Sequence, residues 1–143
     1  MKIFKKILAG VVSAAVIVSA LAVPTAAAIT AVPQTKNESG TFKVGNRTYS
    51  YGGDLVASTT NARATMSSGH SMPLYVSLEA YGFYLGTFTE PNSKSDVLSG
   101  TSVTVTADNH FIGIDGTNQI VDIAYAYGKY KIGKIDSFTL SIS

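Results

Sequence analysis

Apolar and polar positions alternate along most of the chain after residue 40. In residues 74–80, the side chains of one parity are all aliphatic: Leu74, Val76, Leu78 and Ala80. A period of two is typical of a β-strand that packs one face against a core. Because no window shows a sustained helical period, we predict an all-β domain.

Shorter alternating segments recur at intervals of roughly 8–12 residues, with turn signals between them. The strongest turn signals are Gly45 with Asn46 and Asp115 with Gly116. We predict a loop at residues 90–96, which are polar and include a proline. The pattern predicts a small antiparallel β-sandwich of about seven or eight strands, with a small β-barrel as the alternative.

The first 28 residues follow a different pattern. Three lysines lie among the first six residues, and an uncharged apolar run occupies residues 7–23. Pro24 ends that run, and the small side chains of Ala26 and Ala28 fit a signal peptidase. We predict a signal peptide, bacterial in composition, that is cleaved after Ala28 and directs secretion. Membrane contact is expected only in the alternative case, in which the segment stays uncleaved.

The predicted organisation is therefore a signal peptide at 1–28, a polar linker at 29–40 and a single β-sandwich domain at 41–143. The chain has 11 basic and 9 acidic residues, but three lysines belong to the signal peptide, which leaves 8 basic residues against 9 acidic ones. Such a balance does not favour nucleic acid or an anionic membrane surface as a partner. Without cysteine, the chain has no disulfide and no thiol chemistry.

Few residues are suited to acid–base catalysis. His70, His110, Glu79 and Arg63 supply the side-chain types that a hydrolytic site needs. Their spacing gives no sign that they converge, and each suits a solvated surface position. We therefore predict a non-catalytic protein.

A scatter of oxygen ligands in the C-terminal half suits calcium by residue type. The spacing of these residues lacks the close pattern of a calcium-binding loop, and Asp and Asn also initiate turns. We therefore predict no metal and no cofactor. The residues concerned are Asp108, Asp115, Asn118 and Asp122.

The second parity of residues 74–84 combines aromatic rings with a hydroxyl and a carboxylate. This composition is typical of a surface that stacks sugar rings or anchors a protein partner. The structural alternative is that the rings only stabilise the sheet, by about 0.2–1 kcal/mol per cross-strand pair. The predicted ligand-binding residues are Tyr75, Ser77, Glu79, Tyr81 and Phe83.

A second group of tyrosines comprises Tyr125, Tyr127 and Tyr130 and lies near Lys129, Lys131 and Lys134. Lysine on an edge strand opposes aggregation of one sheet with another, and we interpret these lysines as protection of an edge strand. The combined features predict a secreted, non-catalytic β-sandwich module that binds an extracellular or cell-surface polysaccharide or protein. A secreted antimicrobial or toxin-like effector and a small secreted hydrolase or nuclease are the alternatives. The oligomeric state is left open.

Overall fold

The computed structural model describes residues 29–113 and 115–143, so the predicted signal peptide lies outside the described residues. Within them the chain forms nine β-strands and no helix, which confirms the all-β class. The strands are β1 (Gln34–Val44), β2 (Arg47–Ala57), β3 (Asn61–Tyr84), β4 (Thr87–Phe88), β5 (Asn92–Asp108), β6 (His110–Ile112), β7 (Asn118–Ile120), β8 (Ile123–Ile132) and β9 (Asp136–Ile142).

The 24-residue strand β3 organises the large antiparallel sheet. One edge of β3 pairs with β5 along most of its length. The other edge pairs first with β2 and then with β8, so that the strand order is β1-β2-β3-β8-β9. Strands β6 and β7 form a separate hairpin.

A register shift bends the β3–β5 ribbon near its middle. Pairing moves from Ser67 with Ser102 to Met72 with Gly100, and the bulge lets the ribbon fold back on itself. The two ends of β5 therefore lie close together, and the Asn92 side-chain amide donates to the Asp108 backbone oxygen at 3.2 Å. Since β1 also contacts β9, the sheet is nearly closed and lies between a sandwich and a barrel.

The core follows the parity predicted from the sequence. The aliphatic side chains of residues 74–80 in β3 are fully buried, as are those of Ala62, Ala64 and Met66 before the bend. After the parity change in β5, Val103, Val105 and Ala107 face the same interior. Full burial of each of the larger aliphatic side chains contributes about 1.5–3 kcal/mol relative to exposure.

Aromatic rings fill the space between β2, β8 and β9. The Tyr130 and Phe138 rings stack with centroids 5.0 Å apart, and the Tyr130 hydroxyl donates to the Asp54 backbone oxygen at 2.8 Å. Both rings lie directly over Gly53, where a Cβ atom would come within 2.6 Å of the Phe138 ring. Glycine is required at this position because any side chain would collide with the rings.

A buried hydrogen bond joins β2 to β9. The Tyr51 hydroxyl donates to the Asp136 carboxylate, whose other oxygen accepts the Ser137 backbone N–H at 2.8 Å. Burial, followed by the interaction with Asp136, raises the pKa of Tyr51 well above its usual range. The hydroxyl therefore stays protonated and donates to the carboxylate.

Two polar segments differ from the sequence expectation. Strand β1 begins at Gln34, inside the segment 29–40 that was predicted to be a linker, and Ile29 packs in the core. Strand β5 begins at Asn92, inside the loop predicted at residues 90–96. The parts of β1 and β5 in these two segments lie at sheet edges with mostly exposed side chains, so backbone pairing holds them without an apolar pattern.

Candidate ligand-binding face

The outer surface of the C-terminal half of β3 holds four of the five residues predicted to bind a ligand. Their cross-strand partners in β8 are two tyrosines and two lysines. We call this set of eight outward-facing residues the tyrosine face: Tyr75, Ser77, Glu79 and Tyr81 on β3, and Tyr125, Tyr127, Lys129 and Lys131 on β8.

A polar network crosses the centre of the tyrosine face. The Tyr81 hydroxyl donates to Glu79 Oε2 at 2.9 Å, and Lys129 Nζ lies 3.8 Å from Glu79 Oε1. Lys129 Nζ also lies 5.6 Å from the centre of the Tyr127 ring. The Glu79 side chain is 31% exposed and that of Lys129 is 51% exposed, so both ions remain accessible from solvent.

The rings beside this network pack against one another. The Tyr81 ring centre lies 5.9 Å from Tyr125 and 6.2 Å from Phe88, which meets it edge-on. Burial raises the pKa of Tyr125 to about 12, and burial with the Glu79 hydrogen bond raises the pKa of Tyr81 further. Tyr125 and Tyr127 are buried and support the surface, whereas Tyr75 and Tyr81 are partly exposed and accessible to a ligand.

Phe83, the fifth predicted residue, lies beyond a second register shift at Gly82. It pairs with Phe88 in β4, and their ring centres are 5.3 Å apart. Because Phe88 also contacts Tyr81, Phe83 extends the aromatic cluster without belonging to the β3–β8 ladder.

A cleft of about 410 Å³ lies at the Tyr75 end of the tyrosine face. Its volume falls within the range of roughly 300–1,000 Å³ that is typical of small-ligand sites. Two lysines stand beside an otherwise mainly apolar surface there, which offers both contact area and hydrogen-bond donors. The lining includes Pro73, Tyr75, Val97, Lys131, Gly133 and Lys134.

A smaller cleft of about 260 Å³ separates the β3–β4 hairpin from the loop between β6 and β7. Leu85 at the hairpin tip has a φ of 50° and is 86% exposed, which is unusual for a bulky side chain. None of the eight residues of the tyrosine face lines this cleft, although its Phe88 also contacts Tyr81, so Tyr84 offers a location for a control substitution. Its lining includes Tyr84, Leu85, Phe88, Asp115 and Gln119.

The sequence did not reveal that β8 lies beside β3. It grouped Tyr130 with Tyr125 and Tyr127, whereas Tyr130 has the opposite parity and is only 1% exposed in the core. Strand alternation alone separates the two sets. The interpretation of Lys129 and Lys131 as edge protection is wrong, because β8 is paired on both sides, with β3 and with β9.

The two histidines have local partners of their own. Within the described residues, no hydrogen bond or ion pair joins Glu79 to His70, His110 or Arg63. His110 Nδ1 lies 3.3 Å from Asp108, and the backbone N–H of His110 is the main cause that lowers the pKa of Asp108. The His70 ring packs against a tyrosine of β2 at 4.7 Å.

Residues 29–113 and 115–143 contain no group of three or more His, Cys, Asp or Glu side chains placed to hold a metal ion. The Asp115 carboxylate accepts the Thr117 hydroxyl at 2.7 Å, which lowers the pKa of Asp115 and stabilises the turn. Nothing helical in the described part of the chain reaches the length and hydrophobicity needed to cross a membrane. Comparison with protein-family models, with curated proteins and with solved structures finds no match to this chain.

Proposed function

We propose that this protein is a secreted, non-catalytic module that binds an extracellular or cell-surface polysaccharide through the tyrosine face. The observation that carries the proposal is the network of Tyr81, Glu79 and Lys129, in which a partly exposed carboxylate is held between a phenol and an ammonium group. The three side chains are positioned before any ligand arrives, so binding would cost little side-chain ordering.

The chemistry of the face suits a sugar chain. Sugar rings present hydroxyl groups that both donate and accept hydrogen bonds, together with C–H faces that pack on aromatic rings. Tyr75 and Tyr81 supply partly exposed rings, Glu79 accepts hydrogen bonds, and Lys129 and Lys131 donate them. A rim of hydroxyl side chains continues the polar surface onto both neighbouring strands: Ser93 and Ser95 on β5, and Ser137 and Ser141 on β9.

Secretion is part of the proposal and rests on the sequence of residues 1–28. Ile29, the first residue after the predicted cleavage site, is 6% exposed and packs in the core. Cleavage after Ala28 would therefore retain every residue of the described core. Mass spectrometry of protein recovered from the culture medium would identify the new N-terminus.

The test compares two tyrosine substitutions. We expect Tyr81→Ala to reduce retention on an insoluble bacterial cell-wall polysaccharide at least about tenfold, because it removes the ring and the Glu79 hydrogen bond. Tyr84→Ala, in the smaller cleft outside the tyrosine face, is the matched control and should retain binding. Circular dichroism of both variants would establish that they remain folded.

Three results would contradict the proposal. Binding that is unchanged in Tyr81→Ala would exclude the tyrosine face, and binding lost only in Tyr84→Ala would assign the ligand to the smaller cleft. If no polysaccharide in a panel of neutral and anionic ones retains the protein, and the protein captures a specific protein instead, the ligand is a protein and the proposal is wrong. Glu79→Gln refines the test, because it keeps the side-chain shape while removing the charge that Lys129 faces.

A further inference from the structure

Strand β5 forms a long open edge of the sheet. In the part of the chain that the structure describes, β5 pairs only with β3. Side chains from Ser93 to Ser99 are exposed, including Val97 at 65% and Leu98 at 48%. An exposed strand edge presents unpaired backbone groups that can pair with another strand.

Hydrogen bonds show which backbone groups lie at this edge. The Val97 N–H donates to the carboxylate of its neighbour Asp96 at 2.8 Å, so it points away from β3. On β3, both the N–H and the carbonyl of Gly82 bond to Thr89, on the β5 side. The backbone N–H and C=O groups of even-numbered residues of β3 thus point toward β5. In β5, the backbone groups of the odd-numbered residues opposite Tyr75 and its neighbours point away from β3, toward the open edge.

The sequence of this edge is self-complementary in one register. If two copies pair antiparallel about Ser95, the outward-pointing residues Ser93, Ser95 and Val97 form the hydrogen-bonded positions. Lys94 then lies opposite Asp96 of the partner subunit, and Asp96 lies opposite Lys94 of the partner subunit. These are non-hydrogen-bonded positions, where opposed side chains are closest and opposite charges stabilise the pair.

We propose that two copies of this chain pair through the open edge of β5 in the antiparallel register centred on Ser95. Neither Lys94 nor Asp96 has an ion-pair partner within 4 Å among the described residues. Lys94 is near enough to Asp108 to lower the pKa of that carboxyl, but the two side chains make no ion pair there. Pro91, which has no N–H, ends the pairing at one side.

The pairing brings two tyrosine faces together. A two-fold axis perpendicular to the sheet keeps the outer surfaces of both copies on the same side. Three strand spacings of about 4.8 Å separate the two β3 strands, so the two faces lie roughly 14–15 Å apart. A repeating ligand can then engage both faces, which raises avidity without a new contact. The pairing itself does not depend on the identity of that ligand.

The first experiment measures the oligomeric state by sedimentation equilibrium. The sample is the protein purified after the full-length sequence is expressed, and no ligand is added. We expect the native protein to be a dimer and Asp96→Lys to be a monomer, because like charges then face each other. The double variant Lys94→Asp/Asp96→Lys restores opposite charges in the same register and should restore the dimer. A monomeric native protein, a dimeric Asp96→Lys variant or a monomeric double variant would overturn the proposal.

The second experiment tests the register by oxidative cross-linking. The chain has no cysteine, so Ser95→Cys introduces a single thiol that would face its symmetry mate at about 5.5 Å between Cα atoms, within disulfide range. Ser93→Cys is the control, because the two copies of residue 93 lie about 14 Å apart in this register. Cross-linking of Ser95→Cys alone is expected. Absence of that cross-link, or a stronger one from Ser93→Cys, would refute the register.

Discussion

At the scale of single residues, the buried bond between Tyr51 and Asp136 ties two strands that are distant in sequence. Tyr51 is 4% exposed and Asp136 is 8% exposed, so water replaces a lost partner poorly at either group. A buried acceptor that loses its donor costs about 1–3 kcal/mol, more than a typical hydrogen bond contributes net. Removal of the Tyr51 hydroxyl is therefore expected to destabilise the fold by more than the loss of a typical hydrogen bond.

We expect Tyr51→Phe to lower the free energy of unfolding by about 1–3 kcal/mol, because the ring stays and Asp136 loses its hydroxyl donor. Urea denaturation measures the change. Tyr49→Phe on the same strand is the control, since the Tyr49 ring packs against Phe42 and no hydrogen bond joins its hydroxyl to a described residue. Equal losses of unfolding free energy in the two variants would show that the hydrogen bond from Tyr51 to Asp136 contributes no particular stability.

At the scale of elements, adjacent glycines of β2 have opposite roles. A Cβ atom at Gly53 would meet the stacked Phe138 and Tyr130 rings at 2.6–2.8 Å, whereas at Gly52 its nearest neighbour would be 3.6 Å away. Overpacking of a close-packed core costs about 1–3 kcal/mol, and ordinary van der Waals contact costs little. The strand therefore needs glycine on its inner side and tolerates a side chain on its outer side.

We expect Gly53→Ala to destabilise the protein by about 1–3 kcal/mol and Gly52→Ala to leave the free energy of unfolding within about 0.5 kcal/mol of its native value. Thermal and urea unfolding of the two variants give the comparison. If both lose stability equally, the cause lies in the strand backbone, and the packing of Phe138 and Tyr130 over Gly53 is not responsible.

The same scale explains what the sequence could and could not predict. Alternation in residues 74–80 identified the buried and outer parities of β3, because one face packs against a core. It could not identify the part of β1 before Thr41 or the start of β5, whose side chains are mostly exposed and whose order comes from backbone pairing with a neighbour. The contact of Glu79 with Lys129 was hidden as well, since it depends on pairing between strands fifty residues apart in sequence.

At the scale of the whole molecule, tyrosine burial is distributed over both parts of the bent sheet. Burial is the largest cause that raises the pKa of Tyr51, Tyr81, Tyr125 and Tyr130 above the ordinary value of 10.0. Two of these rings lie in the interior and two on the tyrosine face. Ionisation of any of them in the folded state would place a negative charge in a buried or partly buried position, and for Tyr51 and Tyr81 beside a carboxylate, so the fold favours four neutral phenols.

This distribution predicts a steep loss of stability at alkaline pH. Below about pH 10 these tyrosines are neutral in both the folded and unfolded chains, so their contribution is fully present. Above it the unfolded chain loses protons first, and stability falls as pH rises toward the raised pKa values of the folded chain, which for Tyr125 is about 12. Denaturant midpoints measured from pH 8 to pH 12 test this. Tyr125→Phe should flatten the decline, because one group that titrates differently in the two states is removed, and an equally steep decline in that variant would show that Tyr125 ionises alike in both.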